Sequence, residues 1–112
     1  MDFEYGSSKV EYYFSNFDKL IQKCGKDIAK MILQRLIEIR AYPSMRDLMN
    51  GIGKPHRLRA NLSNCIAFHL DKRFRLIVEL PQHNENEFFN IKKVVIKGVS
   101  DYHDGKDKWV IS

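Results

Sequence analysis

The spacing of hydrophobic residues changes midway along the chain, from a helical period to a strand period. Between residues 26 and 41, apolar side chains recur at three- and four-residue steps, which predicts an amphipathic helix over Lys26–Ala41. A shorter helix is indicated over residues 17–23, because Ser15 or Asn16 can cap it and a glycine follows it. One further helical turn is expected over residues 44–49. The first half of the chain is therefore mainly helical.

Strand patterns lie on both sides of these helices. Residues 9–14 combine β-branched and aromatic side chains, which predicts a first strand after a loose arm over residues 1–8. Residues 58–80 alternate apolar and polar positions as half-buried antiparallel strands do, with a short hairpin connection at Asp71-Lys72. A last strand is expected over residues 94–99.

These elements together predict an α+β fold. An N-terminal strand and two helices precede a mostly antiparallel sheet of three to four strands, and the helices cover one face of that sheet. The length of 112 residues suits one domain, 1–112. Residues 81–87 are polar and are expected to form a solvated loop, and residues 104–112 extend beyond the last strand. Within that extension the only tryptophan, Trp109, is expected to dock in the core.

Charge and hydropathy restrict the class of partner. The chain carries 19 lysines and arginines against 14 acidic residues, a net charge of +5, which favours nucleic acid first and an acidic protein second. A hydrophobic fraction of 44% is enough for a packed core and argues against disorder. No apolar run approaches the roughly 18 residues of a membrane span, and no signal pattern opens the chain. We therefore expect a cytoplasmic protein with no membrane contact.

The cysteines and histidines argue against disulfides and metal sites. Cys24 and Cys65 form no CxxC pattern and are expected to be reduced, in or near the core. The four histidines show neither HExxH nor paired-cysteine spacing, so any catalysis is expected to need no metal and no cofactor. Residues 51–54, Gly-Ile-Gly-Lys, are no Walker phosphate loop, because Pro55 stands where Ser or Thr is required.

The densest group of reactive side chains, residues 100–104, directly follows the last strand. Metal-free RNA cleavage needs a base for the attacking 2′-hydroxyl, an acid for the leaving 5′-oxygen and cations for the charged transition state. Asp101 and His103 are candidates for proton transfer, and Tyr102 for base stacking or for donating its hydroxyl. His56 is expected to reach the phosphate from a neighbouring strand. The alternative is an ordinary polar turn with a packed tyrosine ring.

Cations are expected on the outward face of the strands. Four arginines occupy this region with only Asp71 and Glu79 as nearby acids, so they are expected to bind RNA phosphates. The alternative is a solvated strand face. His69 and His83 are read as structural or surface residues. The predicted RNA-binding residues are Arg57, Arg59, Arg73 and Arg75.

Three segments in order carry a family resemblance: Pro55-His56-Arg57-Leu58-Arg59, the strand Phe74-Arg75-Leu76-Ile77-Val78-Glu79, and Asp101-Tyr102-His103. Over residues 9–103 the chain resembles the HigB-like branch of the RelE/ParE toxin superfamily. This resemblance implies a type II toxin that cleaves messenger RNA on the ribosome, inhibits translation and arrests growth. It implies functional roles for His56, Arg59, Arg75, Asp101, Tyr102 and His103.

The resemblance also implies partners. These are the ribosome and messenger RNA, and a cognate helix-turn-helix antitoxin that holds the toxin in a heterotetramer. Two departures from the family pattern stand out: residues 81–90 lengthen the step from Arg75 to Asp101, and residues 105–112 could cover His103. A ParE-like toxin that inhibits DNA gyrase by protein binding shares the fold and is the main alternative. A basic RNA-binding domain without activity is the third.

Overall fold

A six-stranded sheet forms the centre of the protein, and four α-helices pack on one of its faces. The computed structural model describes residues 1–112. The predicted α+β class is confirmed, although the sheet has more strands than the three or four expected. The strands are β1 (Asp2–Tyr5), β2 (His56–Arg57), β3 (Cys65–His69), β4 (Phe74–Glu79), β5 (Lys93–His103) and β6 (Lys106–Ile111). The helices are α1 (Ser8–Phe14), α2 (Phe17–Cys24), α3 (Lys26–Ala41) and α4 (Met45–Met49), with short 3-10 helices at Ala60–Leu62 and Glu85–Asn90.

The strands run in the order β1-β5-β4-β3-β2, and β6 is a second partner of β5. The first half of β5 pairs in parallel with β1, from Asp2 opposite Lys93 onward. Its second half pairs with β6, and every pairing except β1 with β5 is antiparallel. Both terminal strands therefore depend on the one long strand β5.

The sheet buries its two faces unequally. On the helix face, Phe68, Leu76 and Val78 join the main hydrophobic core with side chains from all four helices. On the outer face, the buried hydrophobic residues form only a small cluster, where Leu58 and Leu62 pack over Cys65, Ala67 and Ile77. The rest of the outer face is open at the end of the sheet where β3 joins β4, and its polar side chains lie there.

The helices were the most predictable elements. The expected helix Lys26–Ala41 is confirmed, since Ile28, Ile32, Leu36 and Ile39 form its buried stripe. The two shorter helices also form, as α2 and α4. No helix is long and apolar enough to cross a bilayer.

The expected strand over residues 9–14 is wrong, because this segment is α1. Val10 and Phe14 lie four residues apart and are both buried, which is helical spacing. The Ser7 hydroxyl accepts a hydrogen bond from the Val10 amide at 3.1 Å and caps the helix. Tertiary packing and the cap thus override the strand propensity of the aromatic residues.

The loose arm expected over residues 1–8 is also wrong, because it contains β1 and the start of α1. The strand adds to the free edge of β5, with Phe3 and Tyr5 packed on the main core. The Met1 amino group donates to carbonyl oxygens at the end of α3, including that of Ile39 at 2.9 Å. Backbone pairing to a distant strand leaves no local signal in the sequence.

Residues 104–112 continue the sheet as β6, reached through a tight turn at Asp104 and Gly105. Ile111 is fully buried, whereas Trp109 remains 37% exposed, so the expectation that Trp109 docks in the core is wrong. Trp109 pairs with Ser100 in the strand register, and its side chain lies on the outer face of the sheet, where no other element covers it. Residues 81–87 are exposed except for the half-buried His83, as expected of a solvated loop, although a 3-10 helix begins at Glu85 and buries Phe88 just beyond them.

Candidate active site

A cleft of about 200 Å³ lies on the outer face, where the β3–β4 hairpin meets the end of β5. Antiparallel pairing brings side chains from β2, β3, β4 and β5 to this corner of the sheet. The cleft is lined by His56, His69, Asp71, Lys72, Arg73, Phe74, Arg75 and Tyr102. It therefore combines two imidazoles, a phenol and several cations.

Arg75 is the structural centre of the cleft. Its guanidinium donates two hydrogen bonds to Asp107, from Nε to Oδ1 at 2.9 Å and from Nη2 to Oδ2 at 2.6 Å. The Ser100 hydroxyl, opposite Arg75 in the strand register, donates to the same carboxylate at 2.7 Å. Burial alone would raise the pKa of Asp107, but these hydrogen bonds and the charge of Arg75 outweigh it and hold the pKa below its usual value.

Two further cleft residues contact the guanidinium of Arg75. The Tyr102 ring lies 4.0 Å from the guanidinium carbon, a cation–π contact, and Arg75 Nη1 lies 3.2 Å from His56 Nε2. His56 Nδ1 lies 3.2 Å from the Lys54 carbonyl oxygen. A carbonyl only accepts and a guanidinium only donates, so these contacts define a neutral His56 with its proton on Nδ1.

His69 is a cleft residue that sequence reasoning had set aside as structural or surface. It lies opposite Arg75 in the register of β3 and β4, and its ring centroid is 5.6 Å from that of His56. Burial is the largest cause that lowers the pKa of His69 below 6.5, and the charges of Lys54 and Arg75 add to it, while a backbone hydrogen bond with Asp71 opposes them in part. The signal was present in the sequence, since residues 65, 67 and 69 share one face of a strand.

A second cavity of about 470 Å³ adjoins the cleft across His69. Lys54 and Lys72 lie on its wall, and neither was a predicted site residue. The loop that carries Lys54 is held tightly, because a Cβ on Gly53 would lie 2.8 Å from Arg35 Nε. Lys54 itself has φ of +49°, a conformation rare for a residue with a side chain. The glycines of this loop thus serve close packing beside the cleft.

The structure separates the predicted catalytic residues into two groups. Ser100 and Tyr102 lie on the outer face of β5, and alternation places Asp101 and His103 on the opposite side. Asp101 forms an ion pair with Arg73, and His103 Nε2 lies 3.3 Å from Asp104 with its side chain 68% exposed. Of the predicted set, His56 and Tyr102 therefore line the cleft, and Asp101 and His103 do not.

The four arginines do not form one cationic surface. Arg57 pairs with Glu85 through two hydrogen bonds and lies 4.1 Å from the centroid of the Phe88 ring. Arg73 pairs with Asp101, and Arg75 with Asp107, while Arg59 is exposed and forms no ion pair. The expectation that only Asp71 and Glu79 lie near these arginines is wrong, because the partner acids lie 28 to 32 residues further along the chain.

The nearby acids have other partners. Asp71 Oδ1 accepts hydrogen bonds from the amides of Arg73 and Phe74, which closes the β3–β4 turn, and Glu79 pairs with Lys97. Nowhere in the chain do three or more histidine, cysteine, aspartate or glutamate side chains gather closely enough to hold a metal ion. The cationic groups beside the cleft that form no ion pair are therefore Lys54 and Lys72, whereas Arg73 at its rim is paired with Asp101.

Several solved structures of bacterial toxins share this fold. A YoeB/ParE toxin from Agrobacterium tumefaciens aligns with a TM-score of 0.58 at 13% identity, over 92% of this chain and 99% of that one. YoeB in complex with YefM from Staphylococcus aureus aligns with a TM-score of 0.58 at 21% identity, over 92% and 97% of the two chains. The YoeB dimer from the same organism aligns at 0.56 with the same identity and coverage.

No protein-family model matches the sequence, and no curated protein matches it either. At these identities the likeness establishes a common fold, which agrees with the RelE/ParE-like architecture expected from the sequence. The structures are named for YoeB rather than for HigB, so the narrower resemblance to the HigB-like branch stays a prediction.

Proposed function

We propose that this protein is the toxin of a toxin–antitoxin system and that it cleaves messenger RNA on the ribosome, inhibiting translation. The observation that carries the proposal is the cleft, where imidazole and phenol groups converge with cations on the open face of a toxin-like fold. Transesterification of RNA needs proton transfer at two oxygens and stabilisation of a charged phosphorane, and these side chains can supply both. The products would carry a 2′,3′-cyclic phosphate and a 5′-hydroxyl.

The cleft residues divide into two roles in this proposal. Arg75 is a positioning residue, because its contacts with Asp107, His56 and Tyr102 engage most of its guanidinium. Phosphate charge would be met by Arg73 at the rim and by the adjacent lysines. Tyr102 is 40% exposed and can present its hydroxyl to the leaving oxygen or its ring to a base.

An antitoxin partner is proposed on two grounds. Among the solved structures with this fold, the Staphylococcus aureus YoeB–YefM toxin–antitoxin complex is described as heterotetrameric. The net charge of +5 also favours a partner with an acidic segment that covers the outer face. We expect a cognate antitoxin in a heterotetramer, of helix-turn-helix type as the sequence resemblance implies.

Induced expression with mapping of message 5′ ends tests the proposal. We expect new 5′-hydroxyl ends within coding regions and growth arrest. Tyr102→Phe should reduce cleavage by about 10²- to 10⁴-fold, as loss of one acid or base does. Tyr12→Phe is the matched control, because Tyr12 is 50% exposed on α1 and is no part of the cleft. Intact messages together with DNA supercoiling defects would instead identify the gyrase-binding alternative.

His103→Ala tests which face of β5 carries proton transfer. Because His103 lies outside the cleft, we expect this variant to cleave within about threefold of the wild-type rate while keeping its melting temperature. A loss as large as that of Tyr102→Phe would place proton transfer on the other face of β5 and contradict the assignment to the cleft.

A further inference from the structure

His69 occupies the position between the cleft and the second cavity and lines both of them. It ends β3 and is exposed, directly across from Arg75 on β4. A ligand that fills both cavities therefore has to pass against its imidazole ring. This position is shared with Asp71 and Lys72 of the hairpin, which also line both cavities.

His56, the histidine predicted from the sequence, has both ring nitrogens engaged. The lone pair of Nε2 accepts from Arg75, and Nδ1 donates to the Lys54 carbonyl. Arg75 cannot turn away without breaking its two hydrogen bonds to Asp107 in a nearly buried site. His56 is therefore a neutral side chain with a positioning role, and it has no free lone pair to offer to a substrate.

The surroundings of His69 keep it able to accept a proton. The titratable and charged groups that face it are His56 from β2, Arg75 from β4, Tyr102 from β5, Lys54 from the glycine loop, Asp71, Lys72 and Arg73 from the hairpin, and Arg35 from α3. Arg35 Nε donates to the His69 backbone carbonyl at 3.0 Å, which fixes the end of the strand. All of these groups except Asp71, Tyr102 and the neutral His56 are cations, and the Asp71 carboxylate is engaged in closing the turn. A neutral imidazole is therefore favoured over a charged one at this position.

We infer that His69 is the general base for RNA cleavage, with the RNA strand running from the cleft into the cavity beside Lys54 and Lys72. This inference rests on the proposed function. His69 takes the proton of the 2′-hydroxyl while that oxygen forms its bond to phosphorus. The bond from phosphorus to the 5′-oxygen breaks, and the leaving oxygen takes a proton from the Tyr102 hydroxyl. Solvent then returns the proton from His69 to Tyr102.

The test is single-turnover cleavage of a messenger on purified ribosomes, measured from pH 5 to pH 8. Wild-type cleavage should slow toward the acid end of this range, with an apparent pKa below the roughly 6.5 of an unperturbed histidine, because His69 becomes protonated. His69→Gln should be about 10²- to 10⁴-fold slower and should lose this acid limb. Its affinity for a message with a 2′-O-methyl group at the cleavage position should stay within threefold. His83→Gln is the matched control, because that ring lies against the Pro81 carbonyl outside both cavities.

His56→Gln distinguishes the two imidazoles, because it should slow cleavage yet keep the acid limb. An acid limb that persists in His69→Gln, or one that is lost in His56→Gln, overturns the assignment of His69. A His69→Gln protein that loses affinity for the methylated message as much as it loses rate also overturns it, in favour of a binding role. A wild-type protein that cleaves no message at any pH instead refutes the proposed function, so the two failures are distinct.

Discussion

Replacement of Gly98 by alanine should detach the C-terminal strand from the sheet. Gly98 lies in β5 with φ of +150°, and a Cβ added there would lie 1.9 Å from the Ile111 carbonyl oxygen and 2.9 Å from its carbonyl carbon. Both atoms belong to the backbone, which cannot rotate away as the end of a long side chain can. The alanine methyl group would therefore overlap the backbone of β6, and β6 would have to move away from β5.

The cost has two parts. An alanine at this backbone conformation is strained by about 1–3 kcal/mol. Displacing β6 also exposes Ile111, which is fully buried, at a cost of about 1.5–3 kcal/mol. We expect Gly98→Ala to lower the free energy of unfolding by about 2.5–6 kcal/mol, a large share of the 5–15 kcal/mol typical of a domain.

Gly105→Ala is the matched control for this experiment. Gly105 also has a positive φ, +77°, but nothing lies within 4 Å of its added Cβ, so only about 1–2 kcal/mol of strain is expected. Urea unfolding followed by circular dichroism measures both values. Equal losses in the two variants would refute the close approach of Ile111, because strain alone would then account for Gly98→Ala.

Two further outcomes follow from the buried polar groups. The pKa of Asp107 is held down in the folded state, so its ion pair stabilises the protein above about pH 4, and this stabilisation is lost as the pH falls through the folded pKa. Asp107→Asn should cost about 1–3 kcal/mol at pH 7 and progressively less in urea titrations toward pH 3. Asp101→Asn, which loses the ion pair with the exposed Arg73, should cost less than Asp107→Asn. A gap between Asp107→Asn and wild type that is independent of pH would disprove the linkage. Burial raises the pKa of both cysteine thiols, and Cys65 is only 3% exposed, so Ellman's reagent should label the native protein slowly at pH 7 and the urea-unfolded protein fast. Rapid labelling of Cys65 in the native protein would contradict its burial.

Local periodicity accounts for the elements that could be predicted from the sequence. Helix α3 repeats its apolar residues every three or four positions, so its bounds follow from the pattern alone. Strands β1 and β6 could not be found this way, because each is defined by backbone pairing with β5. For residues 9–14 the sequence predicts a strand, because these residue types prefer strands. The segment forms a helix instead, because a capping hydrogen bond and two buried side chains stabilise the helix.

The candidate site was predictable only in part. Strand alternation separates Tyr102 from His103 in the sequence itself, and it aligns His69 with the other outer-face residues of β3. The acidic partners of the arginines could not be predicted from the sequence. Asp107, for example, lies 32 positions after Arg75 and belongs to a strand that no hydrophobic pattern indicates. Whether a cation is free to bind phosphate depends on such distant contacts.

The dependence of both terminal strands on β5 gives the order in which a growing chain can fold. Residues 2–5 emerge from the ribosome first, yet they have no partner until residues 93–96 have been made. Arg75 likewise remains without its acidic partner until Asp107, 32 residues later, has been made. Contacts this distant along the chain form late and slowly. A half-made copy therefore has no organised cleft, and a protein proposed to cleave messenger RNA acquires that capacity only after residues 93–107 have been made.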